Sequence, residues 1–138
     1  MTTHLFAYGS LMFPQVWERI VSERCDSAPA TLEGYSRRAI VGEPYPGIVA
    51  AERECVAGVV YFDLSPEAVA RLDAFEGEWY LRSTGTLTLE DGTTVEAEVY
   101  VIRDAFFHLL TETPWSVEQF ADSGLERFAA EYAGFEAL

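Results

Sequence analysis

The chain contains no lysine and no asparagine, and all nine of its basic side chains are arginine. Without a lysine amine there is neither a Schiff-base nucleophile nor a lysine general base. Cysteine is scarce: Cys25 and Cys55 are too few for a disulfide framework, and neither lies in a CxxC pair. They are expected to be two buried thiols in a reducing cytosol, with a single bridge as the alternative. Imidazole is equally scarce. His4 and His108 lie far apart and belong to no HxH or HExxH pattern, so no metal site is expected and each reads as an ordinary core or surface histidine. No local motif supports a Cys–His hydrolase. No apolar run approaches the roughly 20 residues of a membrane span. The opening "MTTHLFAYGS" lacks the basic segment and long apolar core of a secretory leader. Positive charge is also short: 23 acidic residues give a formal net charge of −14, which argues against nucleic-acid and anionic-membrane partners. Repeats, linkers and low-complexity segments are missing too. The expectation is one cytoplasmic domain over residues 1–138, long enough to bury about two-thirds of its unfolded surface without staples.

What is present is a strand-rich middle with helices around it. "HLFAY", 4–8, reads as a strand ending at Gly9. "PQVWERIVSERC", 14–25, reads as a helix with Pro14 in its first turn and Val16, Trp17, Ile20 and Val21 on one side. An alternating stretch lies within 30–41, "GEPYPG" at 42–47 is loop, and "IVAAE" and "CVAGVVYFDL" are strand-like. Ser65-Pro66-Glu67 opens a second helix with a cap, a first-turn proline and an acid at the positive end. Two alternating strands over 80–103 flank Asp91-Gly92, a hairpin signal. "DAFFHLL" starts a short helix, Pro114 interrupts, and a helical tail follows, broken near Ser123-Gly124. This pattern is α+β, and short strands in so small a chain favour a curved sheet or small barrel.

Two stretches could carry chemistry. In "AYGSLM", 7–12, a strand runs into Gly9, where small residues leave main-chain N–H groups open to a carboxylate or oxyanion. Ser10 adds a hydroxyl and Tyr8 a phenol. The plain alternative is a tight strand-to-helix turn without a ligand. The second stretch is "RLDAFEGEWYLR", 71–82. On a helical wheel centred on Leu72, Phe75 and Val69 lie about 60° to either side and Glu76 at about 40°, inside the apolar arc. Burial, the negative end of the helix at Gly77 and the neighbouring acids Asp73 and Glu78 would all raise its pKa. The alternative is a frayed last turn, with Glu76 in water or paired to Arg82.

Tyr8-Gly9-Ser10-Leu11 at the end of a first strand, followed by "LDAFEGEWYLR", resembles the gamma-glutamylcyclotransferase superfamily. "LEGYSRRAI", "YPGIV" and "AEVYVI" are also similar to its short branch, which holds gamma-glutamylamine cyclotransferases and plant avirulence-induced-gene-like proteins. The resemblance runs from about residue 5 to 103, and the helical tail from about 104 to 138 matches nothing usable. The glutathione-specific branch shares the Tyr-Gly-Ser-Leu start but differs around the glutamate. The resemblance implies a small mixed β-barrel with flanking helices, a catalytic Glu76 and a substrate-binding loop at Tyr8, Gly9, Ser10 and Leu11. Tyr80 and Arg82 are further candidates beside the glutamate, although Arg82 could equally pair with a surface acid.

The implied reaction needs no cofactor and no metal. The α-amine of a gamma-glutamyl substrate attacks its own γ-carbonyl, giving 5-oxoproline and a free amine. The acidic field should disfavour net-negative ligands and tolerate gamma-glutamyl amines. Two other readings stay open: a small-molecule binding module without turnover, and a protein-interaction adaptor using the aromatic tail, Phe106, Phe107, Trp115, Phe120, Phe128, Tyr132 and Phe135. Nothing in the sequence fixes the oligomeric state.

Overall fold

The first strand, β1 (Thr3–Ala7), is buried on both faces, and this organises the fold. Successive strand residues point to opposite sides. Leu5 and Ala7 join one apolar cluster with the helices, while Phe6 and Tyr8 join a second cluster. The computed structural model describes residues 3–21, 23, 25–42 and 46–119. After β1 come α1 (Pro14–Val21), β2 (Ser27–Ile40), β3 (Pro46–Leu64), α2 (Pro66–Glu76), β4 (Tyr80–Leu89), β5 (Thr94–Ile102) and β6 (Leu110–Pro114).

The strands run in the order β3-β1-β5-β4-β2-β6, and β2 also pairs with β3. That extra pairing closes β3, β1, β5, β4 and β2 into a barrel, which removes open sheet edges. Among the described residues only β1–β5 is parallel, at Leu5↔Glu98; the other pairings are antiparallel. β6 extends one edge of β2 beyond β4, at Arg38↔Pro114 and Ile40↔Leu110. Phe6, Leu32, Ile48, Val56, Val60, Leu87 and Val99 fill the inner cluster. The outer one packs α1 and α2 onto the barrel through Trp17, Val21, Leu64 and Leu72. The architecture is the α+β mixed barrel with flanking helices that the sequence implies.

Several elements differ in detail from the expectations. "IVAAE" and "CVAGVVYFDL" form the single strand β3, but its ladder with β2 steps from Tyr35↔Ala50 to Glu33↔Cys55. Residues 51–54 are thus looped out opposite Gly34, with Arg53 at φ 70°. α1 stops at Val21 rather than running on to residue 25. The hairpin is a three-residue turn: Gly92 N–H donates to Leu89 O, Leu89 N–H to Thr93 O, and Gly92 takes φ 86°. Asp104–Leu109 is a 3₁₀ turn, and Pro114 ends β6 rather than merely breaking a helix. Cys55 is exposed and Cys25 only half-buried, which corrects the expectation of two buried thiols. Cys55 lies at the edge of the looped-out segment, where β3 leaves the core. The expected break at Ser123-Gly124 and the tail aromatics Phe120, Phe128, Tyr132 and Phe135 lie outside the described residues.

Closure of β1 on β3 leaves no room at Gly58. A Cβ there would sit 2.3 Å from Ala7 O and 2.8 Å from the Phe6 ring. The oxygen belongs to the backbone and cannot retreat without breaking the ladder. Gly58→Ala should therefore lower unfolding free energy by about 3 kcal/mol in a denaturant titration, against a near-zero change for Thr86→Ala on the exposed side.

Candidate functional site

Local signals set the position of α2. The Ser65 hydroxyl accepts from Ala68 N–H at 3.1 Å, and Pro66 occupies the first turn. Glu23 holds the cap in turn, accepting from Ser65 N–H at 3.0 Å and from its hydroxyl at 2.7 Å. Ala68 and Leu72 are fully buried, which fixes the helix's rotation. Gly77, at φ 77°, ends the helix and donates to Asp73 O. Glu76 is the last helical residue, one turn beyond Leu72 and on the same side.

There it borders a pocket of about 250 Å³. Tyr8 to Leu11 form one wall, Phe75 to Tyr80 another, and Pro46 and Tyr100 complete the lining. Burial pushes the Glu76 carboxyl up to about 8, and the Asp73 carboxylate adds to the rise. The same charge acts on its neighbours: burial and then Glu76 push the Tyr8 phenol well up, and Tyr100 is raised by burial and by Asp73. A carboxyl titrating near 8 can both accept and donate a proton at physiological pH.

Across the pocket, the chain leaving β1 folds into a tight turn. Met12 N–H donates to Gly9 O at 3.0 Å and Phe13 N–H to Ser10 O at 3.1 Å. The N–H groups of Ser10 and Leu11 precede the turn's first bond and are left to other acceptors. Gly9 is required by space, since a Cβ there would lie 2.7 Å from Pro46 Cδ.

Of the residues singled out from the sequence, Tyr8, Gly9, Ser10, Leu11, Glu76 and Tyr80 all line this pocket. Two hydroxyls are committed elsewhere: Tyr8 donates to Tyr100 O, and Tyr80 donates to Pro46 O at 2.8 Å. Arg82 is not among the lining residues. It lies opposite Tyr100 in the β4–β5 ladder, with Nε 3.5 Å from Asp73 and 3.9 Å from Glu98. It therefore pairs with outer acids rather than with Glu76. Tyr100 donates to the other side of this group, to Asp73 Oδ1 at 2.7 Å.

Sequence reasoning named Asp73 as an acid that raises Glu76 but passed over Pro46, Trp79 and Tyr100 as lining residues. The i, i+3 spacing makes Asp73 and Glu76 neighbours on α2, which is why the Asp73 charge reaches Glu76. Tyr100 sits in an alternating strand and carries no local signal separating a site tyrosine from a core one.

A carboxyl with a raised folded pKa has a defined effect on stability. Its contribution is fully present below the unfolded value of 4.5 and is lost as pH rises through about 8. Glu76→Gln should therefore match the wild type near pH 4.5 and become progressively more stable than it by pH 9. An advantage of about 2 kcal/mol is expected in denaturant titrations at the two pH values, allowing for water in the pocket.

The chain matches the sequence profile of a family described as Gamma-glutamyl cyclotransferase, AIG2-like over residues 5–117, so the likeness reaches β6. Protein AIG2 C of Arabidopsis thaliana is 34% identical over 99 residues, covering 71% of this chain and 60% of that protein. AIG2-like protein D of the same plant is 33% identical over 104 residues, covering 73% of this chain and 68% of that one. The chain thus spans only about 60% of the length of the first of these relatives. A solution structure of a further Arabidopsis thaliana protein superposes with a TM-score of 0.71 at 27% identity, over 94% of this chain and 87% of that one. Barrel, helices and both motif-bearing stretches fall inside the matched span, and the chain belongs to the gamma-glutamyl cyclotransferase, AIG2-like family.

Proposed function

We propose that the protein is a cyclotransferase acting on gamma-glutamyl amines or gamma-glutamyl amino acids. The observation that carries this reading is the pairing of Glu76, raised to about 8, with the main-chain turn at 8–11 across a pocket of about 250 Å³. Nucleophile and electrophile belong to one substrate molecule, so the chemistry requires no cofactor. Holding them in a reactive rotamer is worth an effective molarity of about 10⁵ to 10⁸ M.

In this reading ionised Glu76 takes a proton from the α-ammonium. The freed amine attacks the γ-carbonyl carbon, a five-membered ring closes, and a tetrahedral oxyanion forms. Glu76 then returns that proton to the leaving nitrogen and takes the second one from the ring nitrogen. The oxyanion collapses to the lactam carbonyl as the C–N bond to the leaving amine breaks, and the second proton departs with the amine or to solvent, leaving Glu76 ionised again. The products are 5-oxoproline and a free amine. N–H groups of the turn would stabilise the substrate carboxylate or the oxyanion. A net charge of −14, with Glu78 also on the pocket wall, favours neutral or cationic leaving amines over anionic ones. This supports gamma-glutamyl amines ahead of glutathione-like substrates.

Release of 5-oxoproline from a panel of gamma-glutamyl amines, gamma-glutamyl amino acids and glutathione tests the proposal. Turnover should be highest with the amines, and Glu76→Gln should lower kcat by about 10²- to 10⁴-fold while still binding substrate. Binding without any product from the wild type would make the protein a binding module instead.

The base must be ionised to act. The wild-type kcat/KM should therefore rise with pH to a midpoint near 8 and then level off. Asp73→Asn removes a charge that raises Glu76 but keeps an acceptor for Tyr100. Its pH–rate midpoint should fall below the wild type's; an unchanged midpoint would show that Asp73 does not tune the base.

A further inference from the structure

The turn at 8–11 is tied by its carbonyl oxygens. Arg37 Nη1 donates to Tyr8 O at 2.8 Å, and the Tyr61 hydroxyl donates to Leu11 O at 2.9 Å. The two oxygens between them accept from Met12 and Phe13 N–H. All four carbonyls of the wall are thus satisfied by protein donors. Every described peptide is trans, so the N–H of each unit points opposite to its C=O. A guanidinium bonded to Tyr8 O therefore leaves the Gly9 N–H directed away from Arg37. It also polarises that peptide, making the N–H a stronger donor to negative charge.

Arg37 itself does not line the pocket. It borders a separate cavity with Met12, Phe13, Ala57, Gly58 and Val117. The same Nη1 also donates to Ala57 O at 3.2 Å, and the guanidinium lies 5.2 Å from the Trp115 ring centroid. Tyr61 is held by a parallel stack on Trp17, with centroids 3.6 Å apart.

We propose that Arg37 is a positioning residue which, acting through the Tyr8 carbonyl, makes the 8–11 wall selective for an anionic group over a neutral one. Tyr61 only holds the wall in place, because the N–H of the peptide whose carbonyl it binds, that of Met12, is spent on Gly9 O. The inference deepens the cyclotransferase reading and rests on it only for the identity of the anion, the substrate α-carboxylate.

Calorimetric titration with 5-oxoproline and with its uncharged carboxamide tests this at pH 6, where Glu76 is mostly protonated. The wild type should prefer the carboxylate. Arg37→Gln keeps a donor but removes the charge, and should lower the carboxylate-to-carboxamide affinity ratio by about tenfold, chiefly through the carboxylate. Arg37→Lys should restore much of the ratio. A merely structural role would weaken both ligands alike. An unchanged ratio in Arg37→Gln, or no preference in the wild type, overturns the proposal. If Arg37→Gln does not fold, Arg37→Met decides, since it keeps the packing of the stem and removes the charge: the ratio must fall, and an unchanged ratio counts against the proposal. An Arg37-dependent ratio in a protein that releases no 5-oxoproline would sink the cyclotransferase reading and keep this one. Turnover with an indifferent ratio would do the reverse.

Discussion

A helix that buries Leu72 must carry its next turn to the same side, and in this chain that turn ends in Glu76. The constraint is geometric. At 3.6 residues per turn, the rotation that hides Ala68 and Leu72 also sets Glu76 against the barrel. Rotating the helix to carry position 76 out to water would expose those two side chains, and burying them leaves the half-buried acid against the pocket wall. Its displacement towards neutral pH follows from that conflict rather than from a dedicated partner, since burial is the larger cause.

The barrel supplies the opposite wall. β1 has the helices on one face and the barrel interior on the other, so its exit is pinned from both sides. The chain then turns sharply at Gly9, where Pro46 leaves no space for a side chain. Hydroxyls that could have faced a ligand are largely used to hold these walls: Tyr8 on Tyr100, Tyr80 on Pro46, Tyr61 on Leu11, Tyr100 on Asp73. The pocket is framed by tyrosines whose polar ends bind the protein, which leaves main-chain groups, the Ser10 side chain and the carboxyls of Glu76 and Glu78 to meet a small molecule. Arg82 shows the same division from outside, balancing Asp73 while staying clear of the pocket.

Local signals made much of this legible in the sequence. The Ser65 cap, Pro66 and the Gly77 stop bound α2, and a wheel centred on Leu72 singled out Glu76. The Asp91-Gly92 turn marked the β4–β5 hairpin. What stayed hidden depends on pairing between distant segments. No periodicity reveals that β2 closes on β3, or that residues 51–54 are looped out opposite Gly34. β6 was missed because a five-residue strand after a 3₁₀ turn carries too few alternations to register. Arg37 looked like any exposed-strand arginine, because its role comes from Tyr8 lying beside it 29 positions away.

The central claim is that the carboxyl at position 76 is held in a poorly solvated site facing the turn at 8–11. Following the Glu76 side-chain carboxyl carbon by NMR as pH is raised measures this directly, independently of any substrate. A titration midpoint near 8 is predicted. A midpoint near the ordinary value of 4.5 would mean that the group is solvated, and would contradict the account.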